Sequence, residues 1–156
     1  MRTAVFLLAA LPLLAADPGQ IVVLEMRTDV RGGCGPARID FFRNLPDGTQ
    51  QSTPFRVPEG THLVVTDVDW HYYNGTPLQI QILRLIIENL ENVEVRRRAF
   101  ESITNLNNSG LGGRSERLTT GFAVSSRARL CLDTFPSPIG DPVRLNSVIV
   151  RGYLAR

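Results

Sequence analysis

Short apolar, β-branched runs recur along this chain, several of them alternating apolar and polar residues with a period of two, which is the pattern of β-strands. Ile21 to Leu24 opens as a short β-branched run, and Leu63 to Tyr73, rich in Val, Thr and aromatics, is the clearest strand. Gln79-Ile80-Gln81-Ile82 and Val93-Glu94-Val95-Arg96 also alternate, so residues 78–103 read as two strands joined around Asn89 to Asn92 and not as one long helix. Leu118 to Val124, Ala128 to Leu132 and Leu145 to Tyr153 supply three more candidates, and Phe55 to Val57 reads as a strand end. Between them lie turn signals: Gly32 to Pro36, Leu45-Pro46-Asp47-Gly48, Pro58-Glu59-Gly60, Asn74 to Pro77 and a polar, Gly-rich stretch from Asn105 to Gly113. About eight strands with this punctuation predict an all-β domain, an antiparallel β-sandwich of jelly-roll-like form.

The first sixteen residues follow a different rule. Met1-Arg2 precedes an apolar run from Ala4 to Leu14, and the small pair Ala15-Ala16 follows. That is the order of a secretory signal peptide, and the run falls short of the ~20 apolar residues a bilayer span requires. The reading is therefore a leader over 1–16, one domain over 17–156, secretion or periplasmic residence, and no transmembrane segment beyond the leader. An uncleaved interfacial anchor is the competing reading, and Leu14 is larger than the usual residue at its distance from a cut after Ala16.

Composition narrows the class. The chain has 156 residues, is 43% apolar and carries 17 basic against 15 acidic side chains, which excludes a highly charged disordered chain. Every basic residue is arginine. The near-balance of charge argues against a nucleic-acid partner. The two cysteines, Cys34 and Cys131, are too far apart for a CxxC motif. They suit either one structural disulfide in an oxidising compartment or two unrelated thiols. A disulfide closing so long a loop constrains the unfolded chain by about 4–5 kcal/mol in the entropy model.

Candidate chemistry centres on Asp67-Val68-Asp69-Trp70-His71. On a strand, Asp67, Asp69 and His71 project from one face and Val68 and Trp70 from the other. Their oxygen and nitrogen donors make a possible metal set, and through it a metal-dependent enzyme, although donors two apart on a strand are roughly 6.5–7 Å apart and do not converge unaided. A solvated strand face is the plainer reading. His62 has the opposite parity to His71 on a regular strand. Trp70, His71, Tyr72 and Tyr73 are the main aromatic concentration, and alternation should bury about half of them. With Trp70 in the core, His71 and Tyr73 remain for stacking on sugar faces, with Asp69 and Asn74 supplying hydrogen bonds. Arg96-Arg97-Arg98 is the densest basic run. It suits contact with an anionic glycan, lipid head group or surface polymer or, more simply, a charged edge strand.

Val57 to Thr61, Leu63 to Trp70, Thr120-Gly121-Phe122 and Val150 to Leu154 resemble strings in small exported bacterial β-sandwich proteins of unassigned function. The resemblance covers about the last two-thirds of the mature chain; it departs at the N-terminal part holding Cys34. It implies a jelly-roll-like domain ending in a strand close to the C-terminus and carries over no catalytic residue. The expected role is a non-enzymatic binding or structural module of the envelope or extracellular space, without cofactor, with a glycan as leading partner. A self-assembling jelly-roll homo-oligomer and the metal-dependent enzyme are the alternatives.

Overall fold

The computed structural model describes residues 20–26, 34, 40–73, 75–137 and 145–156. Among these described residues eight strands form: β1 (Ile21–Met26), β2 (Phe41–Asn44), β3 (His62–Tyr72), β4 (Ile80–Asn89), β5 (Arg96–Asn105), β6 (Gly112–Ser125), β7 (Ala128–Ser137) and β8 (Leu145–Ala155). They make two antiparallel sheets, one ordered β2-β1-β8-β3-β6 and the other β5-β4-β7.

One apolar core lies between the sheets. Val22, Leu24, Leu63, Val65, Val68, Trp70, Val148 and Val150 enter it from the five-stranded sheet, and Leu83, Leu85, Leu130 and Leu132 from the other. Alternation accounts for the sorting: on β3 and β4 the apolar member of most residue pairs turns inward, as burial of apolar area requires. A polar link closes one side. The Trp70 indole N–H donates to Ser102 Oγ at 3.0 Å, and the Ser102 hydroxyl donates to Glu116 Oε1 at 2.9 Å, tying β3, β5 and β6 together.

Three details depart from the sequence reading. Phe55 to Val57 is not a strand; the Phe55 amide bonds the Phe41 carbonyl at 2.8 Å while its ring packs on the core. The pairing role falls to β2, whose Phe41-Phe42 is too short a run to show a period. Val93 to Val95 belongs to the β4–β5 connection, with the Val95 amide bonded to Asn92 O at 2.9 Å, so β5 starts at Arg96.

The third detail is a bulge in β3. Val65 pairs with Gly152 and Asp67 with the next residue back on β8, Arg151, which leaves Thr66 extra. Opposite it on β6, the register jumps from Arg117 to Phe122. Gly121 sits in that jump at φ +66°, and a Cβ there would lie 2.5 Å from the Val65 carbonyl oxygen, so the bulge is built around a residue without a side chain.

Candidate functional site

The outward row of β3 carries the residues singled out by sequence. Val68, Trp70 and Tyr72 are buried, while Asp67 and Asp69 are partly exposed and His71 and Tyr73 exposed on the opposite face. The bulge alters one expectation. Because Thr66 adds a residue, the inward series Leu63, Val65 continues as Val68, Trp70, Tyr72, and His62 is exposed on the same face as His71. Opposite parity holds only for a regular strand. The nine-residue separation still keeps the two imidazoles roughly 25–30 Å apart.

Neighbouring strands supply arginines to the carboxylates. Asp67 pairs in register with Arg117 of β6 and Arg151 of β8, and Arg117 Nε lies 3.5 Å from Asp67 Oδ1. Thr66 donates to the other Asp67 oxygen at 2.7 Å. Asp69 is ion-paired and hydrogen-bonded to Arg151. Partial burial pushes the Asp69 pKa up. Hydrogen bonds from Ser115 and Arg151, with the charges of Arg151 and His71, outweigh that and hold its carboxyl below the ordinary value.

This arrangement bears on the metal reading. Asp67, Asp69 and His71 share a face but stay spaced along the strand, and both acids are occupied by arginine. Among the described residues, no three His, Cys, Asp or Glu side chains gather closely enough to hold a metal ion. A protein-only donor set is therefore not assembled on this face, because an extended backbone separates alternate side chains and the Coulomb partner of each acid is already in place.

At the end of the row, His71 and Tyr73 stack, with ring centroids 6.5 Å apart and planes 15° from parallel. Tyr73 is 47% exposed. The inward pair behaves differently: Trp70 and Tyr72 are fully buried and meet edge to face at 5.6 Å. Alternation thus divides the aromatic cluster as expected. Asn74 lies outside the described residues.

The same outer face continues toward the other end of the sheet. Ile21 of β1 pairs with Tyr153 of β8, which pairs with Val64 of β3, so these side chains lie side by side. Ile21 and Tyr153 are both well exposed. Ile21 and Val23, with Asn44, Leu45 and Pro46, line an open groove of about 340 Å³. Its edge is polar: Asn44 Nδ2 donates to Glu25 Oε2 at 2.8 Å and Gln50 Nε2 to Asn44 Oδ1 at 2.9 Å. Sequence reasoning saw Tyr153 only as strand material. Its neighbours come from β1 and β3, more than eighty residues away in the chain.

A second charged cluster occupies the outer face of the other sheet. Glu88 of β4 is fully buried, paired with Arg129 of β7, itself 6% exposed, and with Arg96 of β5, whose Nε is 2.8 Å from Glu88 Oε1. Burial raises the Glu88 pKa, but the hydrogen bonds and charges of Arg129 and Arg96 together carry it below the ordinary value. Nearby on β7, burial lifts the Asp133 pKa, against the pull of Arg84 and Arg96. The disulfide of Cys34 and Cys131 is formed on this side; Cys131 pairs with Ile86 and points away from Leu130 and Leu132, which face the core. Arg98 and Arg84 both bond Glu101, at 2.8 and 2.5 Å. The arginine run on the edge strand β5 is therefore largely paired, as its charged-edge reading anticipates.

Among the described residues, no helix is long and apolar enough to cross a membrane. No protein-family model matches the chain, and no curated protein matches it in sequence.

Proposed function

We propose that this protein is an exported, non-enzymatic binding module of the cell envelope or extracellular space, and that its ligand is carbohydrate. The observation that carries the reading is the exposed His71–Tyr73 stack, continued along the same face by Asp69, Arg151, Asp67 and Arg117. A flat aromatic surface suits the apolar face of a pyranose ring, and adjoining charged groups suit its hydroxyls. Asp69, whose ionised form Arg151 and Ser115 favour, is suited to accept hydrogen bonds from sugar hydroxyls.

The strand order supports a β-sandwich of jelly-roll type. Rolling up one long hairpin places the first strand beside the last, the third beside the sixth and the fourth beside the fifth, as seen for β1·β8, β3·β6 and β4·β5. The variation is β2, which pairs with β1 and not β7. The disulfide and the leader-like residues 1–16 support export.

A glycan array probed with the wild-type protein and with Tyr73→Ala tests the function. Binding to at least one glycan, weakened in the variant, is expected. An array with no bound glycan removes the carbohydrate reading, and equal binding by Tyr73→Ala removes this site.

A further inference from the structure

The outer face of the five-stranded sheet has aromatic surface at both ends of its polar row. His71 and Tyr73 lie at one end, and Tyr153 lies beside the groove of Ile21, Val23, Asn44, Leu45 and Pro46 at the other. Tyr153 stands opposite Val64 of β3, nine residues from Tyr73, so the two rings are roughly 25–30 Å apart. Between them run the Asp69–Arg151 and Asp67–Arg117 pairs.

We infer that the groove beside Tyr153 is a second sugar subsite, and that the whole face takes a neutral linear polysaccharide laid along β3 from Tyr73 to Tyr153. This inference rests on the carbohydrate reading and specifies its ligand.

Three features argue for it. The groove's volume of about 340 Å³ lies within the range of small-ligand sites, and its walls are apolar with a polar edge at Asn44, as a sugar's two kinds of surface demand. Tyr153 is 40% exposed although it sits inside β8 and not in a loop, so its ring is held on a rigid sheet. The charges favour a neutral polymer. Glu25, Asp67 and Asp69 face Arg117 and Arg151, and both arginines already have carboxylate partners. The three acids outnumber the two arginines, so an anionic chain would meet a row with a net negative charge.

The test is calorimetric titration with disaccharides and hexasaccharides of three neutral series (xylose, cellulose and chitin oligomers) and with galacturonic acid hexamer as the anionic arm. Engaging both ends should make at least one neutral hexamer bind about tenfold more tightly than its dimer. Tyr153→Ala should cancel that gain, Tyr153→Phe should keep it, and Tyr73→Ala should cancel it from the other end. Both rings are exposed, so folding of the variants is verified by unchanged circular dichroism. Equal affinity for dimer and hexamer, or a hexamer indifferent to Tyr153→Ala, overturns the two-ended strip and leaves the carbohydrate module standing. Tighter binding of the galacturonate hexamer overturns the neutral class. Absence of binding by every sugar overturns the strip and the carbohydrate reading together.

Discussion

Replacing Glu88 by Gln should destabilise the protein substantially while preserving side-chain shape. The carboxylate is fully buried and holds two guanidiniums, of which Arg129 is 6% exposed and Arg96 keeps 37% of its side-chain surface. Removing one member of a buried ion pair costs about 3–5 kcal/mol, chiefly because the remaining charge is left buried and uncompensated. Arg96 can return to water, so the cost should lie near the lower end, about 3 kcal/mol. With a urea m-value of 1–3 kcal/mol/M, the unfolding midpoint should drop by roughly 1–3 M. Trp70 is the single tryptophan and lies in the core, so its fluorescence reports the transition directly.

The pH dependence gives an independent check. In the folded state the Glu88 pKa lies below its ordinary value of 4.5, so its ionised form is favoured by folding. Its stabilisation is present above the unfolded value and is lost as the pH falls through the depressed folded one. The wild type and Glu88→Gln should thus differ most near neutral pH and converge as the pH falls below the ordinary 4.5 and through the depressed folded value. Equal midpoints at pH 7, or a difference that stays constant into acid, would refute the claim that this buried carboxylate anchors the outer face of the second sheet.

Other substitutions probe separate links. Ser102→Ala leaves the buried Trp70 indole N–H without its acceptor and should cost about 1–3 kcal/mol by urea unfolding, with a shift in the Trp70 emission maximum. Gly121→Ala puts a Cβ against the Val65 carbonyl at a positive φ; it should lower the melting temperature by more than any Ala substitution at an exposed position of β6, measured by calorimetry. Reduction of the Cys34–Cys131 bond, or Cys34→Ser, should cost up to about 4–5 kcal/mol through the 97-residue separation it spans, read as a lower urea midpoint in reductant. An unchanged midpoint would show that the bond adds nothing to the folded state's advantage.

The local order of side chains about each strand is legible in the amino-acid sequence. Alternation around Asp67 to Tyr73 places Val68, Trp70 and Tyr72 inside and Asp67, Asp69, His71 and Tyr73 outside, because successive Cβ atoms on an extended backbone point to opposite faces. The same rule separates the strands of residues 80–105, and two cysteines allow one pairing, whose formation the structure shows. It does not foresee an inserted residue: the bulge at Thr66 reverses the facing of His62, and its support by Gly121 depends on a strand some fifty positions further on.

Which side chains meet across strands follows from the pairing of distant segments. Strand order brings Arg117 and Arg151 to the two aspartates, Tyr153 to Ile21, and Arg96 and Arg129 to Glu88. Glu88 occupies an outward position by period, where a carboxylate is expected in water, yet it is buried on the side where Cys34 is bonded to Cys131. Periodicity records which way a side chain leaves its own backbone. Burial and charge pairing depend on what lies beyond that side chain, and here the chain brings it from far away in sequence.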